Sequence, residues 1–136
     1  MSLVHHDLCF GCGHTNVFGL QIELDPVESG ASGRFFVKQD HQGPPGFAHG
    51  GVLAAALDEA MALSVHAEGA AARTARFELD LRAPAPIGTF VRLEARIEQR
   101  GERAIETSAR ALADDDGALL AEARATFALV DEASGA

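Results

Sequence analysis

Two carboxylates, Asp58 and Glu59, interrupt an apolar run made of Val52-Leu-Ala-Ala-Ala-Leu57 and Ala60-Met-Ala-Leu63, and His49-Gly50-Gly51 stands at its start. Ala and Leu are strong helix formers. The run contains no Pro or turn residue, so it predicts a helix from about Gly51 to His66, ending before Gly69. A helix N-terminus carries unpaired N–H groups and a partial positive charge, and glycine lets a ligand approach that backbone closely. The Gly50 N–H is therefore a candidate donor to a carbonyl oxygen that turns into an oxyanion. Consecutive helical residues point about 100° apart, so Asp58 and Glu59 cannot share one role. Asp58 neighbours Ala54, Ala55, Met61 and Ala62 on the helix surface, and these mostly small side chains leave room for a substrate. Apolar surroundings raise a carboxyl pKa, which suits a general base. The residues alone leave open an Asp58 that faces water or caps another group. His49 is expected to hold the Pro-rich loop before the helix.

Cys9 and Cys12 are the only cysteines. One Cys-x-x-Cys pair makes no disulfide framework. It could be half a zinc site completed by His5, His6 or His14, a redox pair, or two small residues shaping a loop. With no second Cys pair in the chain, the loop is the expectation; no metal and no cofactor are assigned. The net charge of -9 argues against nucleic-acid binding, because phosphate contacts need clustered Lys and Arg. It leaves room for an anionic ligand at a local basic patch. No apolar run approaches the roughly 20 residues of a membrane helix. Met1 to Leu8 lacks the basic end and apolar stretch of a signal peptide. The expectation is a cytoplasmic chain with no membrane partner.

The remaining elements must position the helix. Residues 1–18 read as an amino-terminal loop segment of a single domain spanning 1–136. Leu20, Ile22 and Leu24 alternate with polar residues as a strand does, Pro26 and Gly30 mark a turn, and Arg34–Val37 reads as a second strand. His41-Gln-Gly-Pro-Pro-Gly-Phe47 is an ordered loop. The helix is apolar nearly all round and should be buried. After it, period two prevails: Ala75, Phe77, Leu79 and Leu81 share one face, with Thr74, Arg76, Glu78, Asp80 and Arg82 on the other. Further inner rows are Val91, Leu93, Ala95 and Ile97; Ile105, Thr107, Ala109 and Ala111; and Ala121, Ala123, Ala125, Phe127 and Leu129, with a hairpin signal at Asp116-Gly117. The class is α+β: two short strands, a buried helix, then four antiparallel strands whose inner face covers it.

In this order the motifs resemble hotdog-fold acyl-CoA thioesterases of the phenylacetate-pathway type over nearly the whole chain. The resemblance rests on Cys9-Phe-Gly-Cys-Gly-His-Thr-Asn16 with Gly19-Leu20, on His41 through Val52, on Leu57-Asp-Glu-Ala60, on Thr74 through Pro84 with Gly88, and on Leu120-Ala121 to Phe127. It implies an antiparallel sheet wrapped around a long helix, a homodimer or homotetramer with sheets joined edge to edge, and sites at the dimer interface. It further implies that Gly50 of one subunit polarises the thioester carbonyl while Asp58 of the other faces it. Thr74 falls where relatives place a hydroxyl that positions water. Gln42 lies near a polar position that contacts the thioester in relatives, one residue further from His49 than in them.

The activity implied is hydrolysis of a medium-chain or aryl acyl-CoA. Gly51, Phe47 and Met61 are candidate substrate contacts, and Phe18, Phe47 and Phe77 are candidate pocket walls. Arg82, Arg100 and Arg103, at strand ends or in turns, are candidates for the CoA phosphates. The rival class is a non-catalytic acyl-CoA-binding module on the same fold. A hydratase or dehydratase is disfavoured, since that class pairs its Asp with a His a few residues later, and here the next helical histidine is His66. A zinc-dependent hydrolase built on Cys9 and Cys12 is the fourth reading.

Overall fold

The computed structural model describes residues 2–130; Met1 and residues 131–136 of the expected 1–136 domain lie outside the described residues. The elements are β1 (Glu23–Val27), β2 (Gly30–Phe36), a 3-10 turn (Gln39–His41), α1 (Gly50–His66), β3 (Ala72–Leu81), β4 (Phe90–Arg100), β5 (Ala104–Ala113) and β6 (Leu119–Leu129). The strands form one six-stranded sheet in the order β1-β2-β4-β5-β6-β3, with every neighbouring pair antiparallel. The sheet curves around α1, which gives the hotdog fold.

Period-two patterning sets the inner face. Val91, Leu93, Ala95 and Ile97 of β4, Ile105, Thr107, Ala109 and Ala111 of β5, and Ala121, Ala123, Ala125 and Phe127 of β6 are all buried. The rows are in register: Leu93 lies opposite Ala111, and Ala109 opposite Ala123. Thr107 is tolerated there because its hydroxyl donates to the Ala125 carbonyl at 3.0 Å, which satisfies a polar group in the core. Against this face α1 packs Leu53, Ala56, Leu57, Ala60, Met61 and Leu63.

The first hairpin differs from the sequence reading. Pro26 lies within β1, Gly30 opens β2, and the turn is Glu28-Ser29, with Ser29 at φ 55°. Pro26 is tolerated because β1 is an edge strand, where a missing N–H breaks no ladder on the open side. Leu20 and Ile22 precede the strand because Gln21, at φ 51°, interrupts the extended backbone. Both residues are nevertheless buried. Their N–H groups donate to the carbonyls of Phe10 and Gly11 at 2.8 and 2.9 Å. The amino-terminal segment is thereby fastened to the body of the domain.

Burial of α1 is not uniform, which also departs from the reading of its composition. The Glu59 side is buried, while Ala54, Ala55, Asp58 and Ala62 are only half-buried. β3 ends the sheet on one side, so among the described residues its outer edge has no strand beside it.

Candidate active site

Period two counted back from Phe77 places Ala75 inside and Thr74 outside. The structure reverses this at a bulge: Thr74 lies opposite Phe127 and Arg76 opposite Thr126, so Ala75 is the extra residue. A bulge re-aims the side chains beside it. Ala75 is exposed, and Thr74 faces the helix, where its Oγ1 donates to Asp58 Oδ1 at 2.6 Å. Burial pushes the Asp58 carboxyl above the ordinary carboxylate range. The Thr74 hydrogen bond opposes that by stabilising the charged form, the Glu59 charge adds to the rise, and His5 opposes it. The result is a carboxylate with a fixed orientation, raised basicity and the small, half-buried Ala54, Ala55 and Ala62 beside it.

At the other end of the half-buried stripe, His49 is the N-cap of α1. Its ring Nδ1 accepts from the Gly51 N–H at 2.8 Å, and its carbonyl accepts from Val52 and Leu53. Among the described residues nothing accepts from the Gly50 N–H. A Cβ on Gly50 would stand 3.0 Å from Leu81 Cδ1, so a side chain there would crowd β3. Gly50 thus presents a free donor at the positive end of the helix. Eight residues at 1.5 Å rise separate it from Asp58 by about 12 Å, too far for one chain to bring both groups to one carbonyl.

The remaining predicted residues divide. His49 caps the helix with its ring and meets the loop through its backbone N–H, which donates to the His41 carbonyl at 2.8 Å. The Gly51 N–H is occupied by that ring. Gln42 Oε1 accepts from the Gly46 N–H at 2.6 Å, which closes the Pro-Pro loop. Phe47 is 37% exposed and bridges Pro86 through its backbone. Met61 is wholly buried in the core, so it offers no surface to a ligand in the single chain; its turn of the helix points to the sheet. Phe77 is half-buried, and Phe18 is 85% exposed on the amino-terminal segment. Arg82 pairs with Glu122 at 2.8 Å, and the Arg100 Nε donates to Glu68 at 2.6 Å. Arg103 is exposed and has no side-chain partner among the described residues. A broad concavity lies elsewhere, on the outer face of the sheet among Glu78, Arg82, Glu94, Arg96, Arg110 and Arg124. Most charges on that surface are paired with one another and none is a carboxylate in apolar surroundings, so the Asp58 stripe is the better site on chemistry.

Sequence reasoning left Glu59 without a role. It is buried, and its Oε2 lies 2.9 Å from His5 Nδ1 and 3.5 Å from Cys9 Sγ. The hydrogen bond to Glu59 lifts His5 to about 9 against the cost of burial. Burial works to raise Glu59, but hydrogen bonds from His5 and Cys12 hold it below its ordinary value. Burial pushes the Cys12 thiol well up. The available signal was a second acid inside an apolar helix, which needs a partner once buried.

The family model described as "Thioesterase superfamily" matches residues 45–120. An acyl-coenzyme A thioesterase THEM4 of Xenopus laevis is 33% identical over 86 residues, covering 63% of this chain and 39% of that protein. A solved thioesterase superfamily protein aligns with a TM-score of 0.81 at 25% identity, covering 92% of this chain and 64% of that one. A phenylacetic acid degradation-related protein from Ralstonia eutropha aligns with a TM-score of 0.72 at 30% identity, covering 82% and 86%. The chain thus spans less than two thirds of the first two of these relatives. The family match runs from the Pro-rich loop through the capped helix and the bulged strand to the start of β6, and on it the chain belongs to the thioesterase superfamily.

Proposed function

We propose that this chain hydrolyses acyl-CoA thioesters at a site completed by a second copy of itself. The observation that carries the reading is the Thr74–Asp58 hydrogen bond of 2.6 Å on an otherwise small-residue, half-buried stripe. Asp58 acts as general base on a water that the Thr74 hydroxyl helps to position. The free Gly50 N–H of the partner copy, aided by the helix dipole, stabilises the oxyanion. The 12 Å estimated within one helix is the reason for invoking two chains, and the open edge of β3 supplies a surface along which two sheets can join. A homodimer or a homotetramer built as a dimer of dimers satisfies this equally.

Asp58→Asn tests the assignment. The carboxamide keeps the shape and loses the base, so turnover should fall by about 10²–10⁴-fold; undiminished hydrolysis ends the assignment. Attack by Asp58 itself, through a mixed anhydride, is the competing route. Single turnover in isotopically labelled water separates the two, because only the anhydride route exchanges label into Asp58. The small residues Ala54, Ala55 and Ala62 beside Asp58, with Phe47 and Phe77 as pocket walls, fit a medium-chain or aryl acyl group. A hydrolysis screen over short, medium, long and aromatic acyl-CoA esters checks this. Binding without turnover across the whole screen favours the non-catalytic binding module. Of the three candidate arginines, Arg103 is the one without a side-chain partner among the described residues, which leaves it free to meet a CoA phosphate. Arg103→Ala should raise KM for the CoA ester and leave that for the pantetheine ester unchanged; an equal change in both removes the phosphate contact.

A further inference from the structure

The amino-terminal segment brings four ligand-type atoms to one point. His5 Nδ1, Cys9 Sγ, Cys12 Sγ and a Glu59 carboxylate oxygen all lie within 4.8 Å of one another. The separations include 2.9 Å between His5 Nδ1 and Glu59 Oε2, and 3.5 Å between Cys9 Sγ and Glu59 Oε2. His5 Nδ1 lies 3.8 Å from Cys9 Sγ and 3.6 Å from Cys12 Sγ. Zinc binds sulfur at about 2.3 Å and nitrogen or oxygen at about 2.0–2.2 Å. A tetrahedron on those bonds has edges of about 3.6 Å from sulfur to nitrogen or oxygen, and about 3.3 Å from nitrogen to oxygen. These four of the six edges fall within a few tenths of an ångström of those values, and the other two are within 4.8 Å. The geometry points to a structural zinc ion held by His5, Cys9, Cys12 and Glu59, which fastens the amino-terminal segment to α1.

The surroundings are those of a built site. Cys12 is wholly buried and Glu59 nearly so. The His5 backbone N–H donates to Cys12 Sγ at 3.2 Å, the kind of outer hydrogen bond that orients a metal ligand. A Cβ on Gly11, between the two cysteines, would stand 2.3 Å from Glu59 Cγ, so the loop is shaped around that carboxylate. Two thiolates with imidazole and carboxylate in a tetrahedral set suit zinc over harder divalent cations. On binding, the thiol protons of Cys9 and Cys12 and any proton on His5 Nδ1 pass to solvent, with no change of oxidation state. Four protein ligands leave no open position, so the ion anchors the segment and takes no part in chemistry at Asp58.

The test uses the full chain without a polyhistidine tag, purified with no added metal. Elemental analysis should find about one zinc per chain. Exchange for cobalt should give the visible bands of a tetrahedral ion and a thiolate-to-cobalt charge-transfer band. Cys12→Ser should weaken zinc binding by more than the roughly 10–100-fold typical of outer-shell changes. Should that variant fail to fold, the wild type still decides the matter. Its only two thiols should resist alkylation until a chelator is added, then react fully, and the melting temperature should fall with them and recover with zinc. Trace zinc, another metal in its place, a Cys9–Cys12 disulfide in the native protein, or alkylation indifferent to chelator would each overturn the proposal.

Discussion

Asp58 and Glu59 are adjacent in sequence, yet the two sides of α1 that carry them are built in opposite ways. The Glu59 side is closed. The amino-terminal segment folds over it, and the carboxylate is met by His5 and Cys9. The Asp58 side is open. One hydroxyl, that of Thr74, meets the carboxylate, and the flanking residues are alanines that are only half-buried. Burial acts to raise both carboxyls, but the polar company around Glu59 reverses the shift while the single hydrogen bond at Asp58 does not. Partnering thus decides which way a carboxyl's pKa moves on folding. A rotation of about 100° along a helix is enough to give two adjacent acids different company.

The two sides can be broken separately. Asp58→Asn should produce the largest effect, a loss of about 10²–10⁴-fold in turnover measured on an acyl-CoA ester. Its folding midpoint should not fall. A carboxyl whose folded pKa lies above its unfolded value works against folding once the pH rises through both, so removing its charge costs no stability at neutral pH. Thr74→Ala comes next. Hydrogen bonds to charged groups are worth about 1.5–3 kcal/mol, so kcat/KM should drop roughly 10- to 100-fold. Its acidic limb should also shift. The base works ionised, so activity falls as pH drops through the Asp58 pKa, and that limb lies above the ordinary value of about 3.9. Losing the Thr74 bond, which favours the charged form, should move the limb higher still; an unmoved limb means that it does not report Asp58.

On the closed side, Glu59→Gln should lower stability by about 1–3 kcal/mol, the usual effect of leaving buried polar groups poorly partnered, as read from urea midpoints. Gly11→Ala should do the same by steric means, since its new methyl overlaps the Glu59 side chain; overpacking of this kind costs typically 1–3 kcal/mol. The smallest effect belongs to Arg100→Ala. Its partner Glu68 is on the surface, where water and salt screen the pair, so the urea midpoint should barely move.

Much of this fold was legible in one dimension. The helix could be read from Ala and Leu without breakers, and the inner rows of β4, β5 and β6 from alternation, because burial of one face imposes a period that the residues carry themselves. Gly50 and Asp58 were legible as site candidates for the same local reason, a helix start and an acid among small residues. What could not be read is what depends on groups remote in sequence. The bulge at Ala75 turns Thr74 toward Asp58, and nothing in Thr74-Ala-Arg76 announces it, since the extra residue exists only relative to β6. Met61 seemed a neighbour of the site by helical spacing, but the sheet claims that side of the helix. His5, Cys9 and Cys12 read as a loop until α1 presented Glu59 to them. The sequence by itself determined the elements and their faces, because period and propensity act over a few residues. The tertiary structure decided which acid meets which partner, because burial and hydrogen bonding are settled between segments that only the folded chain brings together.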